Sequence, residues 1–348
     1  MLALKFIREN PELVREGAKK KKIDFDLERL LELDGTLLEL NREVDDLRNQ
    51  QKTMGKRMGG ASPEEREEIL AEQKTIKGEL KARGERQGTL QEELDGLLLL
   101  VPNVPAPEVP EGDDDEGNVE LRTWGTPREF DFPMIDHVTL AEGQGWLDII
   151  RGAQLAGSRN YVLLGDLSLL EGAVMRFALD TMVSRGFTPL SVPTLVRTET
   201  MVGTGYFPGG EDQAYKCDER DDLCLVGTAE VPVTALYQGE ILGADRLPMR
   251  FVALSSCYRR EAGTYGKDTR GLYRVHQFQK VEQVVIDVAD EAKSLEHHAA
   301  ILQNSEDVLQ ALELPYRVVN VCGGDLGQPQ IQKFDIETWM PSRDSYGE

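Results

Sequence analysis

Cysteine is scarce in this chain of 348 residues: there are four, at 217, 224, 257 and 322, and none falls in a C-x-x-C pair. Such usage argues against a disulfide-stapled scaffold and fits reduced thiols in the cytoplasm. Cys217 and Cys224 have no second ligand pair nearby, so a zinc site between them would be short of ligands. Long apolar runs are also missing: no stretch approaches the ~18 uninterrupted apolar residues of a membrane span. The N-terminal "MLALKFIRENPELVREGAKKKK" places its charges after a short apolar patch and lacks a small-residue cleavage site, unlike a signal peptide. Two familiar nucleotide signatures are absent. "GTYGKD" (263–268) has only two residues between its glycines, so it is no P-loop, and no G-x-G-x-x-G opens a helix after a strand. A phosphate site here has to be built from side chains. Positive charge is the last shortage, with 40 Lys+Arg against 62 Asp+Glu and a net charge of −22. That average argues against a polyanionic partner, but a phosphate meets the local field. Residues 42–86 hold 11 Lys+Arg and 10 Asp+Glu, leaving −23 on the remainder.

What is present suggests a soluble globular protein of two domains, with 40% hydrophobic and 29% charged residues. Leu30, Leu33, Leu37, Leu40, Val44, Leu47, Gln51, Met54 and Met58 recur three and four apart, which is a heptad seam. "MGGASPEE" (58–65) interrupts it: Gly59 and Gly60 suit a helix end, Ser62 an N-cap, Pro63 position N1, and Glu65 completes a capping box. A second seam follows through Ile69, Gln73, Ile76, Leu80, Arg83, Gln87, Leu90, Leu94 and Leu97. Two such helices with a short connection lie antiparallel. Gln and Arg in the seams describe a slim, solvated arm (about 28–100) better than core helices of a bundle. Lys52, Lys56, Arg57, Lys74, Lys77 and Lys81 flank the seams and together form a candidate surface for backbone phosphates. The arm belongs to an N-terminal domain spanning 1–101. "VPNVPAPEVPEGDDDEGN" (101–118) then breaks all periodicity, and 102–118 reads as a linker.

From 119 to 348 helical and strand-like segments alternate irregularly. That favours α+β, with a mainly antiparallel sheet flanked by helices, over a doubly wound fold. A helix is expected over roughly 168–185, and 203–224 reads as a loop. "FVALSSCYRREAG" (251–263) is a strand-like run ending in two arginines and a glutamate, followed by a polar loop with Lys267 and Arg270. "YRVHQFQKVEQVVI" (273–286) reads as the returning strand, with Arg274, His276, Phe278, Lys280 and Glu282 on one face. Phe278 and Glu282 are about 13–14 Å apart along such a strand, roughly the length of an aminoacyl-nucleotide. Before the loop, Arg259 and Glu261 share a face, with Arg260 opposite. Arg259 could clamp a phosphate and a carboxylate, and Glu261 could accept from an exocyclic amine. His276 reads as a structural hydrogen-bond partner, and His297 and His298 as helix surface.

These segments carry a resemblance. "CYRREAGTYGKDTRGLYRVHQFQKVEQ" (257–283) resembles motif 2 of class II aminoacyl-tRNA synthetases, specifically of the seryl-tRNA synthetase family. "RGFTPLSVP" (185–193) resembles motif 1, and "GTAEVP" (227–232) the family's serine-binding segment. "GAQLAGSRNYVLLGDL" (152–167) is similar to the entry of its catalytic domain, and the helical hairpin to its tRNA-binding arm. The resemblance implies an antiparallel catalytic sheet, a homodimer through motif 1, and two-step attachment of L-serine to tRNA(Ser) and also tRNA(Sec) in the cytoplasm. Arg259 would hold the α-phosphate and the serine carboxylate. Arg260, Glu261, Val275 and Phe278 would contact ATP, with Glu261 at the adenine amine and Phe278 stacked on the ring. Thr228 and Glu230 would take the serine ammonium, with Ala229 also in the serine site, Glu282 its hydroxyl, and Glu348 Mg²⁺ and the phosphates. Family members continue past "YGE" into motif 3, so a C-terminally incomplete chain, inactive alone, is the expectation here. A silent tRNA-binding relative and an amino-acid:carrier-protein ligase are the competing readings.

Overall fold

The computed structural model describes residues 2–218, 220–263 and 271–347. Lys267, Arg270 and Glu348 therefore lie outside the described residues. Two compact units emerge: Met1–Gly117 with Val321–Lys333, and Asn118–Asn320 with Phe334–Glu348.

In the first unit, α1 (Leu4–Glu9) and α2 (Pro11–Lys20) precede the long pair α3 (Leu27–Met58) and α4 (Pro63–Leu98). At 1.5 Å per residue the long helices extend about 50 Å. The seam leucines Leu30, Leu33, Leu37, Leu40, Val44 and Leu47 are buried on α3, as are Ile69, Ile76 and Leu94 on α4. Antiparallel pairing follows from the cross-helix bonds Arg29 Nε–Glu93 (2.8 Å), Arg83 Nε–Glu43 (2.9 Å) and Gln87–Asn41. Gln51, assigned to the seam, is exposed instead, and Met54 and Met58 are only half-buried. With only two helices pairing there, the α3 side of the seam is less covered near its tip, while Ile69 of α4 stays buried. The turn is capped as its sequence predicts: Ser62 Oγ accepts from Glu65 N, and Glu65 accepts from Ser62 N at 2.8 Å.

The base of the hairpin is a core in its own right. Ile7, Val14, Leu27, Leu30, Leu33, Leu37, Leu94, Leu98 and Val101 form one cluster. The stretch read as a linker also packs: its Ala106 and Val109 are buried with Val321 and Leu326. Prolines remove periodicity there without preventing burial. The lysines of "KKKK" are largely engaged within this unit. Lys20 Nζ donates to Val109 O (2.6 Å) and Lys22 pairs with Asp113 (2.5 Å). Buried Lys21 donates to the carbonyls of Gly327, Gln328 and Gln330, while burial pulls its pKa down to about 8.

In the second unit, β1 (Val119–Trp124), α5 (His137–Gly143), β2 (Leu147–Asp148), α6 (Ile149–Ala156), β3 (Val162–Leu163) and α7 (Gly165–Ser184) come first. Then follow β4 (Thr188–Leu190), β5 (Leu195–Arg197), α8 (Thr198–Gly203), β6 (Tyr215–Lys216), β7 (Leu223–Leu225) and α9 (Glu230–Thr234). The remainder comprises β8 (Met249–Tyr258), β9 (Gln277–Ile286), α10 (Glu291–Ala311), β10 (Tyr316–Asn320), β11 (Phe334–Met340) and β12 (Ser345–Gly347). Strands β8 and β9 pair antiparallel from Met249↔Ile286 to Tyr258↔Gln277, and β4 joins β8 in parallel. The pleat sends Val252, Val281 and Val285 to one face, covered by Met182 and Leu179 of α7 and Ile301 and Val308 of α10. Phe251, Ala253 and Val284 point to the other face, with Ala229 and with Val233 of α9. Antiparallel sheets β1-β10-β11-β12 and β5-β7-β6 complete the α+β arrangement.

Several expectations need adjusting. The returning strand begins at Gln277, not at residue 273, because 271–274 bend. The stretch 203–224 is more than a loop: it holds β6 and part of β7, and Phe207, Ala214 and Cys224 join a buried cluster. His297 Nε2 bonds Asp287 at 2.9 Å and His298 stacks on Phe334, so neither is bare helix surface. No helix among the described residues is long and apolar enough to cross a membrane.

Candidate active site

The face of β8–β9 opposite α7 carries the polar residues singled out from the sequence. Phe278, Lys280 and Glu282 stand opposite Cys257, Ser255 and Ala253 in register. One carboxylate is held hard in place. Thr228, buried in the segment before α9, donates its hydroxyl to Glu282 Oε2 at 2.5 Å, and Lys280 Nζ lies 3.3 Å from the same oxygen. Thr228 Oγ1 also accepts from Glu230 N at 3.3 Å, while Ala229 between them is fully buried. Glu230 keeps one side open to solvent. Burial of the rest, and then the charge of Glu282, push its carboxyl above the usual range, with Lys280 and Arg259 opposing.

Arg259 lies at the other end of this face. Its guanidinium carbon sits 5.3 Å from the Phe278 ring centroid, and among the described residues its Nε is buried without a hydrogen-bond partner. A buried, partnerless cationic donor costs free energy unless a ligand satisfies it. Tyr206 is close by: a Cβ on Gly227 would come within 2.6 Å of its hydroxyl and 3.4 Å of Arg259 Cγ, so a larger residue there would have to displace the Tyr206 hydroxyl. Burial pushes the Tyr206 phenol up, against the nearby Arg259 cation. His276 exchanges two bonds with Arg259, its carbonyl accepting from Arg259 N (3.0 Å) and its Nδ1 meeting Arg259 O (3.0 Å). It is the structural partner that its sequence context suggested.

The expected alternation of Arg259 and Glu261 about Arg260 fails. Strand β8 stops at Tyr258, and Glu261 adopts a left-handed φ of 51°. That conformation turns its carboxylate to Arg274, whose Nη1 donates to it at 3.2 Å. Val275 is buried beside this turn. The six arm cations, Lys52, Lys56, Arg57, Lys74, Lys77 and Lys81, are all exposed along α3 and α4. Cys217, Cys224, Cys257 and Cys322 are not disulfide-bonded to one another, and the described residues contain no cluster of three or more His, Cys, Asp or Glu able to hold a metal.

A flat aromatic under an arginine, and Glu282 about a nucleotide's length along the same strand with Glu230 of α9 joining it, suit an aminoacyl-adenylate. Comparison with known proteins agrees. Residues 1–105 match the model of the seryl-tRNA synthetase N-terminal domain, and 215–348 that of the class II tRNA synthetase core domain (G, H, P, S and T). The chain is 48% identical over 348 residues to a serine–tRNA ligase of Deinococcus radiodurans, covering 100% of this chain and 82% of that protein. The chain belongs to the seryl-tRNA synthetase family of class II serine–tRNA ligases. Among solved structures it is similar to seryl-tRNA synthetase from Pyrococcus horikoshii complexed with ATP. That likeness has a TM-score of 0.92 at 36% identity, over 100% of this chain and 83% of that one. It is also similar to a cytoplasmic serine–tRNA ligase from Naegleria fowleri in complex with AMP. There the TM-score is 0.88 at 29% identity, over 100% of this chain and 82% of that one.

Within this seryl-tRNA synthetase framework three neighbours of the site escaped sequence reasoning. Tyr206 and Gln213 lie in the stretch read as a loop, where no periodicity marks a contact. Lys280 was placed on the right face but given no role, because a strand pattern shows which residues share a face and not which of them pair.

Proposed function

We propose that the protein carrying this sequence activates L-serine with ATP to give seryl-adenylate and transfers the seryl group to tRNA(Ser), and by family resemblance also to tRNA(Sec). The observation that carries this reading is Arg259, whose guanidinium lies over Phe278 and whose buried Nε has no hydrogen-bond partner among the described residues, at one end of a face whose other end holds Glu282 and Glu230. In this reading adenine stacks on Phe278, with Glu261, Arg260 and the backbone at Val275 completing the nucleotide contacts. Arg259 bridges the α-phosphate and the serine carboxylate. Thr228 and Glu230 receive the serine ammonium beside Ala229, and Glu282 accepts from the serine hydroxyl.

A serine carboxylate oxygen attacks the α-phosphorus, a new P–O bond forms, and the bond to the departing pyrophosphate breaks. No protein nucleophile is required. The residues have to align the reactants and neutralise charge on the phosphoryl oxygens. A Glu282 that hydrogen-bonds the hydroxyl also rejects alanine, which would leave that carboxylate short of a donor. Glu348 fits a Mg²⁺ role through its donor chemistry: this ion keeps several waters and phosphate oxygens and takes only one or two protein carboxylates. When bound, the ion would supply charge neutralisation on the phosphates. Like Arg259, Glu348 is assigned a catalytic role, on that basis.

For tRNA we assign residues 1–101 as the binding domain, 102–118 as its connection, and 119–348 as the catalytic domain. Lys52, Lys56, Arg57, Lys74, Lys77 and Lys81 meet backbone phosphates. A cytoplasmic homodimer through motif 1 is part of the same proposal. It is supported by large apolar side chains left exposed on α6 and α7, including Ile150 (71%), Leu155 (79%) and Leu169 (73%). Serine-dependent ATP–pyrophosphate exchange tests the catalytic assignment. Arg259→Lys keeps the charge and loses the planar fork, and should cost on the order of 10²–10³ in rate. Exchange within threefold of the unmodified protein would remove Arg259 from the site.

A further inference from the structure

Glu261 is a non-glycine residue in the left-handed region, a backbone conformation that persists where surrounding structure over-determines it. Here Arg274 Nη1 donates to the carboxylate at 3.2 Å, and one residue binds the backbone on either side. Arg260 N donates to Gln213 O at 2.9 Å, immediately before Glu261. Immediately after it, Ala262 N donates to Gln213 Oε1 at 3.2 Å, and Gln213 Nε2 donates back to Ala262 O at 3.0 Å. Gln213 therefore grips the chain on both sides of Glu261, and its amide reads an N–H and a C=O together as a neighbouring strand would. It closes the 3-10 turn Glu211–Gln213, which is anchored by buried Ala214, and Tyr215 packs edge-on against His276. The grip is thus tied to the core and not to a free loop.

We infer that Gln213 is a positioning residue for nucleotide selection: it holds Glu261 in the left-handed turn in which Arg274 binds one carboxylate oxygen and the carboxylate meets the base edge. The inference rests on the reading that Glu261 accepts from the adenine amine. Without Gln213, Glu261 relaxes toward ordinary backbone angles and its carboxylate leaves the plane of the base. Phe278 and Arg259 remain in place because β8, β9 and His276 hold them. The loss should therefore fall on the choice of base, leaving serine binding intact.

The experiment compares ATP with inosine triphosphate, which carries a carbonyl where ATP carries the amine, in serine-dependent pyrophosphate exchange. Gln213→Ala should reduce the preference for ATP about tenfold, chiefly through the KM for the nucleotide, with the KM for serine within twofold. Glu261→Gln should reduce the same preference, and the double variant should lose no more than Glu261→Gln alone, since both act through one contact. If Glu261→Gln leaves the preference unchanged, the adenine reading fails and this inference with it. If Glu261→Gln erodes the preference while Gln213→Ala does not, or if the two losses add, the inference alone is overturned. Equal losses in the KM for serine and for ATP overturn it too, by making Gln213 a general support. Amide hydrogen exchange on the unmodified protein gives a check without any substitution. The Ala262 N–H should be protected, and exchange at the rate of an open chain would refute the grip.

Discussion

Glu230 and Glu282 are two carboxylates brought onto one face by different elements, and their charges oppose each other. Burial and the Glu282 charge raise the Glu230 pKa above its ordinary 4.5. The linkage has a definite sign. Below about pH 4.5 Glu230 is protonated in folded and unfolded chains alike. As pH rises through the elevated value, the folded state pays for the charge and stability falls. Glu230→Gln should therefore raise the melting midpoint at pH 7 by about 2 °C and flatten this part of the pH profile, while serine activation collapses. A lower midpoint would show that the carboxylate is already compensated. Serine brings the missing cation, so its binding should tighten as pH climbs through the same window, measurable as a falling KM for serine. Glu282→Gln poses a separate question. Here the hydroxyl meets a weaker acceptor and Thr228 loses its charged partner, so the preference for serine over alanine should drop by at least tenfold while the KM for ATP moves less than threefold. Parallel losses would assign Glu282 to the support of the sheet.

The hairpin of α3 and α4 is stabilised differently along its length. Near the base, leucines belong to a nine-residue apolar cluster. Farther out, Arg83–Glu43 and Gln87–Asn41 accompany the buried Leu40, Val44, Leu47, Ile69 and Ile76 and fix the pairing of the helices. Such polar seam residues cost stability but specify register. Exposed cations on this outer part are free to meet a polyanion, and the tRNA assignment has a direct physical signature. Neutralising Lys52, Lys56 and Arg57 together should weaken tRNA binding and lower the slope of log K against log salt by about two to three units, one counterion release per lost contact. An unchanged slope would place the phosphate surface elsewhere on the arm.

For the molecule as a whole, a net charge of −22 opposes any polyanion, so tRNA affinity has to be concentrated where the charge is locally balanced. Excising residues 42–86 and joining Asn41 to Gln87 with a short Gly/Ser turn removes that region and spares Leu33, Leu37, Leu94 and Leu98 of the basal cluster. Pyrophosphate exchange should stay within about threefold of the unmodified protein, because no residue of the site is touched. tRNA charging, under conditions where the unmodified protein charges, should fall at least 100-fold. Charging at undiminished tRNA affinity would separate the arm from tRNA recognition.

The long helices were legible because heptad spacing and the Ser62–Glu65 capping box are local: residues within a few positions of one another decide them. The strand face of Phe278, Lys280 and Glu282 was legible for the same reason, since a pleat has a fixed period. Local pattern misled where a neighbour distant in sequence overrides the period. Glu261 leaves the alternation because Gln213, nearly fifty positions earlier, binds both of its flanking peptides. The prolines of 101–118 announced a break, yet Ala106 and Val109 are buried by Val321 and Leu326 from the far end of the chain. In "KKKK" the sequence shows four equal cations, and only tertiary contacts turn Lys21 into a buried anchor on three carbonyls. Periodicity follows from backbone geometry and can be read along the chain. Pairing depends on which distant groups compete to satisfy a buried charge or an open backbone group, and the fold decides that.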